Sequence, residues 1–321
     1  MSVELRPLGV HCNLQCQYCY QQPERDAGNV AAKYDIAAMQ AAVREEGGPF
    51  TLFGGEPLLV PLADLERLCA WGLAEFGRNG IQTNGALITE DHIRLFKRYK
   101  VNVGISIDGP GELNDARWQG TLARTRAATA ATEHAIARLC EEGCPPGLIV
   151  TLHRGNASPG LLPRQHDWMR DLDRRGVRAV RLHLLEVEAP AVRRKYALSA
   201  EENICALLSF RALERELGRL RFDLFDEMRD LLLGRDSRTS CVWNACDPYT
   251  TASVRGVEGF GQRSNCGRTN KDGIDFVKAD VPGFERYIAL HATPHELGGC
   301  ADCRFFLMCK GQCPGTAIDG D

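Results

Sequence analysis

The chain has 321 residues, a quarter of them charged, and a formal net charge of −3. That length buries a large core, as one big α/β unit or one unit plus an appendage, and the charge gives no case for nucleic acid or an anionic membrane. No run of eighteen apolar residues and no signal-peptide start occur, so a soluble, cytoplasmic protein is expected, with fourteen cysteines serving metal or thiol chemistry rather than disulfides.

Residues 3–10 read as a strand and lead into Cys12-Asn-Leu-Gln-Cys16-Gln-Tyr-Cys19, three thiols in eight residues. Helical spacing over 34–46 ends at Gly47-Gly48, and an apolar run over 49–53 meets Gly54-Gly55-Glu56-Pro57. A helix over 62–76 is followed by a strand over 80–83, which runs into Asn84-Gly85. Next come a helix over 89–99, a strand over 101–107, Asp108-Gly109-Pro110 and an alanine-rich helix over 122–142. A strand over 147–153, a helix over 161–175 and a strand over 177–187 complete the series.

This alternation predicts βαβ units and a parallel sheet. Six units are too few for a closed eight-unit barrel and enough for an open one, in which chemistry gathers at the carboxyl ends of the strands. The cysteine loop, Gly54–Pro57, Asn84-Gly85, Asp108–Pro110 and Asn156 all fall at that edge, which points to one active site. Ser199 and Glu202 form a capping-box start for a helix over 199–217. Beyond it the pattern breaks into turns rich in Gly, Cys and Asp. The expected boundaries are a barrel over 1–220, a bridge over 221–240 and a cysteine-rich unit over 241–321.

Thiolates suit zinc or an iron–sulfur cluster. Structural zinc is closed by four ligands in paired spacings, whereas three leave one iron of a cubane without a side chain. A zinc loop completed by His11 is the plain alternative. In the turn after the second strand, two glycines permit close backbone approach, and Glu56 can accept from an ammonium group. Asn84-Gly85 is either a turn or a binding element. Cys69, Cys140, Cys144 and Cys205 lie in or beside helical patterns and read as structural. His153 and His183 lie on strands and can reach the cavity.

The Cys12-x3-Cys16-x2-Cys19 spacing resembles the signature of radical S-adenosylmethionine (SAM) enzymes, in which the open iron holds the amino acid end of SAM. The resemblance implies that Tyr18 sits near the adenine and that Gly54, Gly55, Glu56 and Pro57 contact the methionine amino group. It places Asn84 at the ribose or carboxylate, Ser106 near SAM, Asp108 toward substrate, and Ile149 beside the adenine. A flavodoxin- or ferredoxin-type electron donor follows as a partner.

In the last eighty residues, Cys300-x2-Cys303-x5-Cys309-x3-Cys313 follows Cys241, Cys246 and Gly261-x4-Cys266. This looks like the SPASM extension, which carries auxiliary [4Fe–4S] clusters; a zinc ribbon is the plain alternative. The resemblance implies a first auxiliary cluster on Cys241, Cys246, Cys266 and Cys313. A second would use Cys300, Cys303, Cys309 and an eighth cysteine, yet none follows Cys313. Either that ligand lies beyond Asp321, or the second cluster keeps an open iron, or one cluster forms; the first is favoured.

The expected fold is therefore a partial (β/α)6 TIM-like barrel with a small cysteine-rich C-terminal SPASM domain. The implied reaction is reductive cleavage of SAM, after which a 5′-deoxyadenosyl radical takes hydrogen from a substrate C–H bond. The expected setting is maturation of a ribosomally made peptide by crosslinking or oxidation. Gly267 stands where sulfatase-maturing relatives carry an aspartate base, which argues against that activity. A radical epimerase or dehydrogenase acting on a carbohydrate or other small molecule is the runner-up, with Cys241 or Cys246 as hydrogen donor. A non-catalytic iron–sulfur electron carrier is the alternative from another class.

Overall fold

The computed structural model describes residues 3–26, 28, 30–185, 189–244, 254–267 and 285–313. Nine strands form one sheet: β1 (Val3–Arg6), β2 (Phe50–Leu52), β3 (Asn79–Thr83), β4 (Val101–Ser106), β5 (Gly147–Leu152), β6 (Ala179–Leu184), β7 (Arg221–Phe222), β8 (Arg255–Glu258) and β9 (Arg263–Asn265). Their order is β7-β6-β5-β4-β3-β2-β1-β8-β9. Every neighbouring pair is parallel except β8 with β9. The first six strands thus stand in sequence order with helices between them, the open (β/α)6 arrangement the alternation predicts.

The helices form where spacing and caps agree. Ile36–Glu46 presents Ile36, Met39 and Val43 to the core, and Asp35 caps it by accepting from the Ala37 and Ala38 amides at 2.8 and 3.1 Å. It stops at Gly47, whose φ of 69° is left-handed and costs glycine little. The helix Ala200–Glu214 starts on the expected capping box, with Ser199 N donating to Glu202 Oε2 at 2.7 Å and Glu202 N to Ser199 Oγ at 3.1 Å. Among the described residues no helix is long and apolar enough to cross a membrane.

Alternate residues of the sheet divide the molecule. Leu5, Leu52, Ile81, Ile105, Val150 and Leu182 are buried in the main apolar core. The residues between them are small or polar, including Glu4, Thr51, Gln82, Gly104 and Arg181, and they line the open inner side. Both the fully apolar strand and the two-faced strand occur in parallel sheets; an open inner face demands the second kind.

The first strand ends at Arg6, short of the expected residue 10, because Pro7 has no N–H to give the ladder. A larger difference lies at the other end of the chain. β8 pairs in parallel with β1, Val3 opposite Arg255 through Arg6 opposite Glu258. The sheet therefore continues past the expected boundary near 220–240, using residues more than 240 positions away. Buried Arg6 fastens the β8–β9 hairpin, forming an ion pair with Glu258 and donating to Ser264 Oγ at 2.5 Å. A buried guanidinium without such partners would be heavily penalised.

Val257 on β8 is fully buried in register with Leu5. Val257→Ala should lower the stability of the whole barrel by about 2 kcal/mol. Urea unfolding followed by circular dichroism should show one transition moved to lower urea. A barrel transition left in place would mean that the hairpin is a separate unit.

Candidate active site

The cysteine loop is held by backbone contacts before any side chain is considered. Gly55 N donates to Gly9 O at 3.0 Å and Glu56 N to His11 O at 2.7 Å, seating the turn after β2 against the loop after β1. A Cβ on Gly54 would collide with the Gly9 carbonyl and one on Gly55 with the His11 carbonyl. Gly54 also has a φ of 119°, which disfavours any side chain. The two glycines thus serve an approach between two stretches of the protein's own backbone.

Glu56 is buried, and its carboxylate accepts three hydrogen bonds from within the chain. Oε1 accepts from Thr83 Oγ1 at 2.6 Å and Leu58 N at 2.9 Å, and Oε2 accepts from Asn84 N at 2.8 Å. Burial pushes its pKa above the ordinary carboxylate range against these donors. The consequence is positional, because Asn84 is turned toward the cysteines. Its Nδ2 donates to Asn13 Oδ1 at 2.7 Å and lies 3.9 Å from Cys12 Sγ. Pro57 opens the short helical turn Pro57–Leu59 behind it.

Asp108 is wholly buried at the end of β4 and engaged on every side. Its carboxylate accepts from the Tyr18 hydroxyl and from Thr151 N at 3.1 Å. His153 Nε2 stands 3.4 Å away and Arg117 Nη1 3.8 Å away. His153 Nδ1 accepts from Gly155 N at 3.0 Å, which leaves the Nε2 hydrogen facing Asp108. Burial alone would raise the Asp108 pKa, but His153 and Arg117 outweigh it and hold the carboxyl below its usual range. Tyr18 accepts from Arg117 Nη1 at 3.1 Å, and its ring leans on His153 at 5.6 Å between centroids.

Ser106 and Ile149 lie opposite each other on β4 and β5 at the inner face. Ser106 Oγ accepts from Gln82 Nε2 at 2.8 Å. Gln82, Asn13 and Arg117 were not singled out from the sequence. Gln82 immediately precedes Thr83-Asn84-Gly85, so the strand period offered a signal; Arg117 lay in an irregular stretch with none.

Cys12, Cys16 and Cys19 carry no disulfide and lie within electrostatic reach of one another. Burial pushes the Cys16 thiol up to about 12, so a bound cation is needed to keep it a thiolate at neutral pH. Asn13 Nδ2, next to Cys12, is a buried donor with no partner among the described residues. Among the described residues no three His, Cys, Asp or Glu side chains converge closely enough to hold a single ion.

In the C-terminal region the Cys300 thiol is raised by burial and by the neighbouring Cys309 and Cys303. Cys303 N donates to Cys300 O at 3.1 Å, and Phe306 fills the space behind against Tyr287 and His291. Cys313 is buried, Cys266 follows β9, and Cys241 lies within electrostatic reach of Arg181. Cys246 lies outside the described residues.

Comparisons with known proteins agree with this geometry. A serine-type anaerobic sulfatase-maturating enzyme of Klebsiella aerogenes is 30% identical over 212 residues, covering 61% of this chain and 50% of that protein. The chain spans about half the length of such curated relatives. Native anSMEcpe with bound AdoMet and Cp18Cys peptide superposes with a TM-score of 0.76 at 20% identity, covering 100% of this chain and 91% of that one. Streptococcus suis SuiB bound to precursor peptide SuiA gives 0.63 at 16% identity, covering 98% and 72%. At those identities the two structures speak for the fold. The sequence profile of the Radical SAM superfamily matches residues 7–184, more than half of the chain. The chain belongs to the Radical SAM superfamily, an enzyme family whose cofactors are a [4Fe–4S] cluster and S-adenosylmethionine.

Proposed function

We propose that this enzyme modifies a ribosomally made peptide, crosslinking or oxidising a side chain after hydrogen abstraction. Cys12, Cys16 and Cys19 would hold the SAM-binding cluster, and the later cysteines one or two auxiliary clusters. The observation that carries the reading is the three-thiol loop pinned to the strand ends, with Asn84 turned onto Cys12. When bound, the cluster and SAM supply a 5′-deoxyadenosyl radical. The chain's own task is to hold the reacting carbon close and exclude water.

Gly54, Gly55, Asn84, Ser106 and Ile149 occupy the rim where SAM would lie. Glu56 acts there through Asn84 and the turn, its carboxylate accepting from Thr83, Leu58 N and Asn84 N. Asp108 acts as a buried hub of the same wall. The peptide reading draws on relatives named as sulfatase-maturating enzymes and on the bound precursor peptide of SuiB. The barrel over 1–220 and a cysteine-rich unit from about 241 remain our division of labour, the second carrying the auxiliary clusters. A flavodoxin- or ferredoxin-type protein is our choice of electron donor.

Gly267, next to Cys266, separates the reading from sulfatase maturation. Its missing side chain faces Arg6 Nη1, Tyr20 Oη and Gln21 Nε2 at 3.3–3.4 Å, so no carboxylate of its own stands there.

Reconstituted, reduced enzyme should release 5′-deoxyadenosine from SAM, as read by chromatography. Cys16→Ala should abolish release, whereas Cys303→Ala should keep some release and lose the peptide product. Near-wild-type release by the Cys16 variant would refute the assignment. A cysteine peptide derived from a sulfatase should come back unmodified by mass spectrometry, and its conversion would make sulfatase maturation the activity.

A further inference from the structure

The segment Ala116–Trp118 runs beside the cysteine loop and brackets its middle thiol. Gln15 N donates to Trp118 O at 2.7 Å and Gln17 N to Ala116 O at 2.8 Å, one on each side of Cys16. Arg117, between those two carbonyls, turns inward with its side chain only 12% exposed. Its Nη1 donates to the Tyr18 hydroxyl at 3.1 Å and lies 3.8 Å from Asp108 Oδ1. The same guanidinium is the strongest opposite charge acting on Cys16, with Arg25 also in reach, beside Cys12, Cys19 and Asp108.

Two physical requirements meet in this side chain. The loop must be fixed to about an atom's width to present three thiolates to one cluster, and the gathered negative charge must be offset where water is scarce. A permanently charged side chain meets both through one nitrogen, since Nη1 donates to the Tyr18 oxygen at 3.1 Å and lies 3.8 Å from the Asp108 carboxylate. Lysine would keep the charge on a shorter side chain of different shape, so its nitrogen would not occupy the same place.

We propose that Arg117 is a positioning residue of the cysteine site, fixing the loop around Cys16 through Tyr18 and Asp108. This rests on Cys12, Cys16 and Cys19 being the cluster ligands. Removing the side chain loosens Tyr18 and leaves Asp108 without its cation, so the bound cluster is held less firmly.

The test uses the full reconstituted chain and follows iron lost to a chelator from the cluster whose EPR signal SAM perturbs. Arg117→Met should lose that iron about tenfold faster than wild type, the scale usual for outer contacts of a metal site. Arg117→Lys should fall between the two. Wild-type loss in the Met variant overturns the proposal. So does a fall in the melting temperature of the iron-free chain with the rate of loss unchanged, the mark of a merely structural role. Should Arg117→Met fail to fold, Arg117→Gln, which leaves Asp108 in place, is read the same way: faster loss supports the proposal and equal loss overturns it. A wild-type chain that forms no SAM-perturbed cluster overturns the ligand assignment as well.

Discussion

Everything at this site depends on a contact between two loops that no side chain could share. The turn after β2 lies on the carbonyls of Gly9 and His11, where a Cβ on Gly54 or Gly55 would collide. That approach sets the height of the cysteine loop above the strand ends. It also carries Glu56 into the interior, where its carboxylate gathers three donors and turns Asn84 toward Cys12. Glycine at two positions and one buried carboxylate thus convert an ordinary βαβ edge into a thiol site.

The opposite wall is built from charge. Asp108 is buried deeply enough that its ionised form needs several partners, and it has Tyr18, Thr151, His153 and Arg117. The main-chain oxygen of the same residue accepts from Asn156 Nδ2 at 2.8 Å and Gln165 Nε2 at 2.5 Å. Strands β4 and β5, the loop bearing Cys16 and two later helices are therefore locked through one residue. The inner sheet face between the two walls carries Ile149 among small and polar residues such as Gln82, Gly104 and Ser106.

Much of this was legible in the sequence, and for local reasons. The helix Leu62–Phe76 and the strands after it follow from periodicity and punctuation, and Cys12-x3-Cys16-x2-Cys19 marks a thiol centre whose cluster reading comes from family resemblance. What the sequence hid was non-local. The pairing of β8 with β1 spans most of the chain, and no pattern near residue 255 announces a partner near residue 3. Glu56 stands in a ligand motif, and the fold shows besides that its carboxylate accepts from Thr83, Leu58 N and Asn84 N. Arg117 sits in an irregular stretch between a turn and a helix, where an arginine is ordinarily solvated. Cys246 lies outside the described residues, and its part stays an expectation.

The central claim is that the N-terminal thiols hold a cluster with one iron free to bind SAM. Pulsed electron–nuclear double resonance on the reduced enzyme, with SAM carrying 15N in its amino group and 13C in its carboxylate, measures that directly. The account predicts hyperfine coupling of both labels to a [4Fe–4S] cluster, lost when Cys16 is replaced. Reduced, loaded enzyme that binds labelled SAM without either coupling would contradict it.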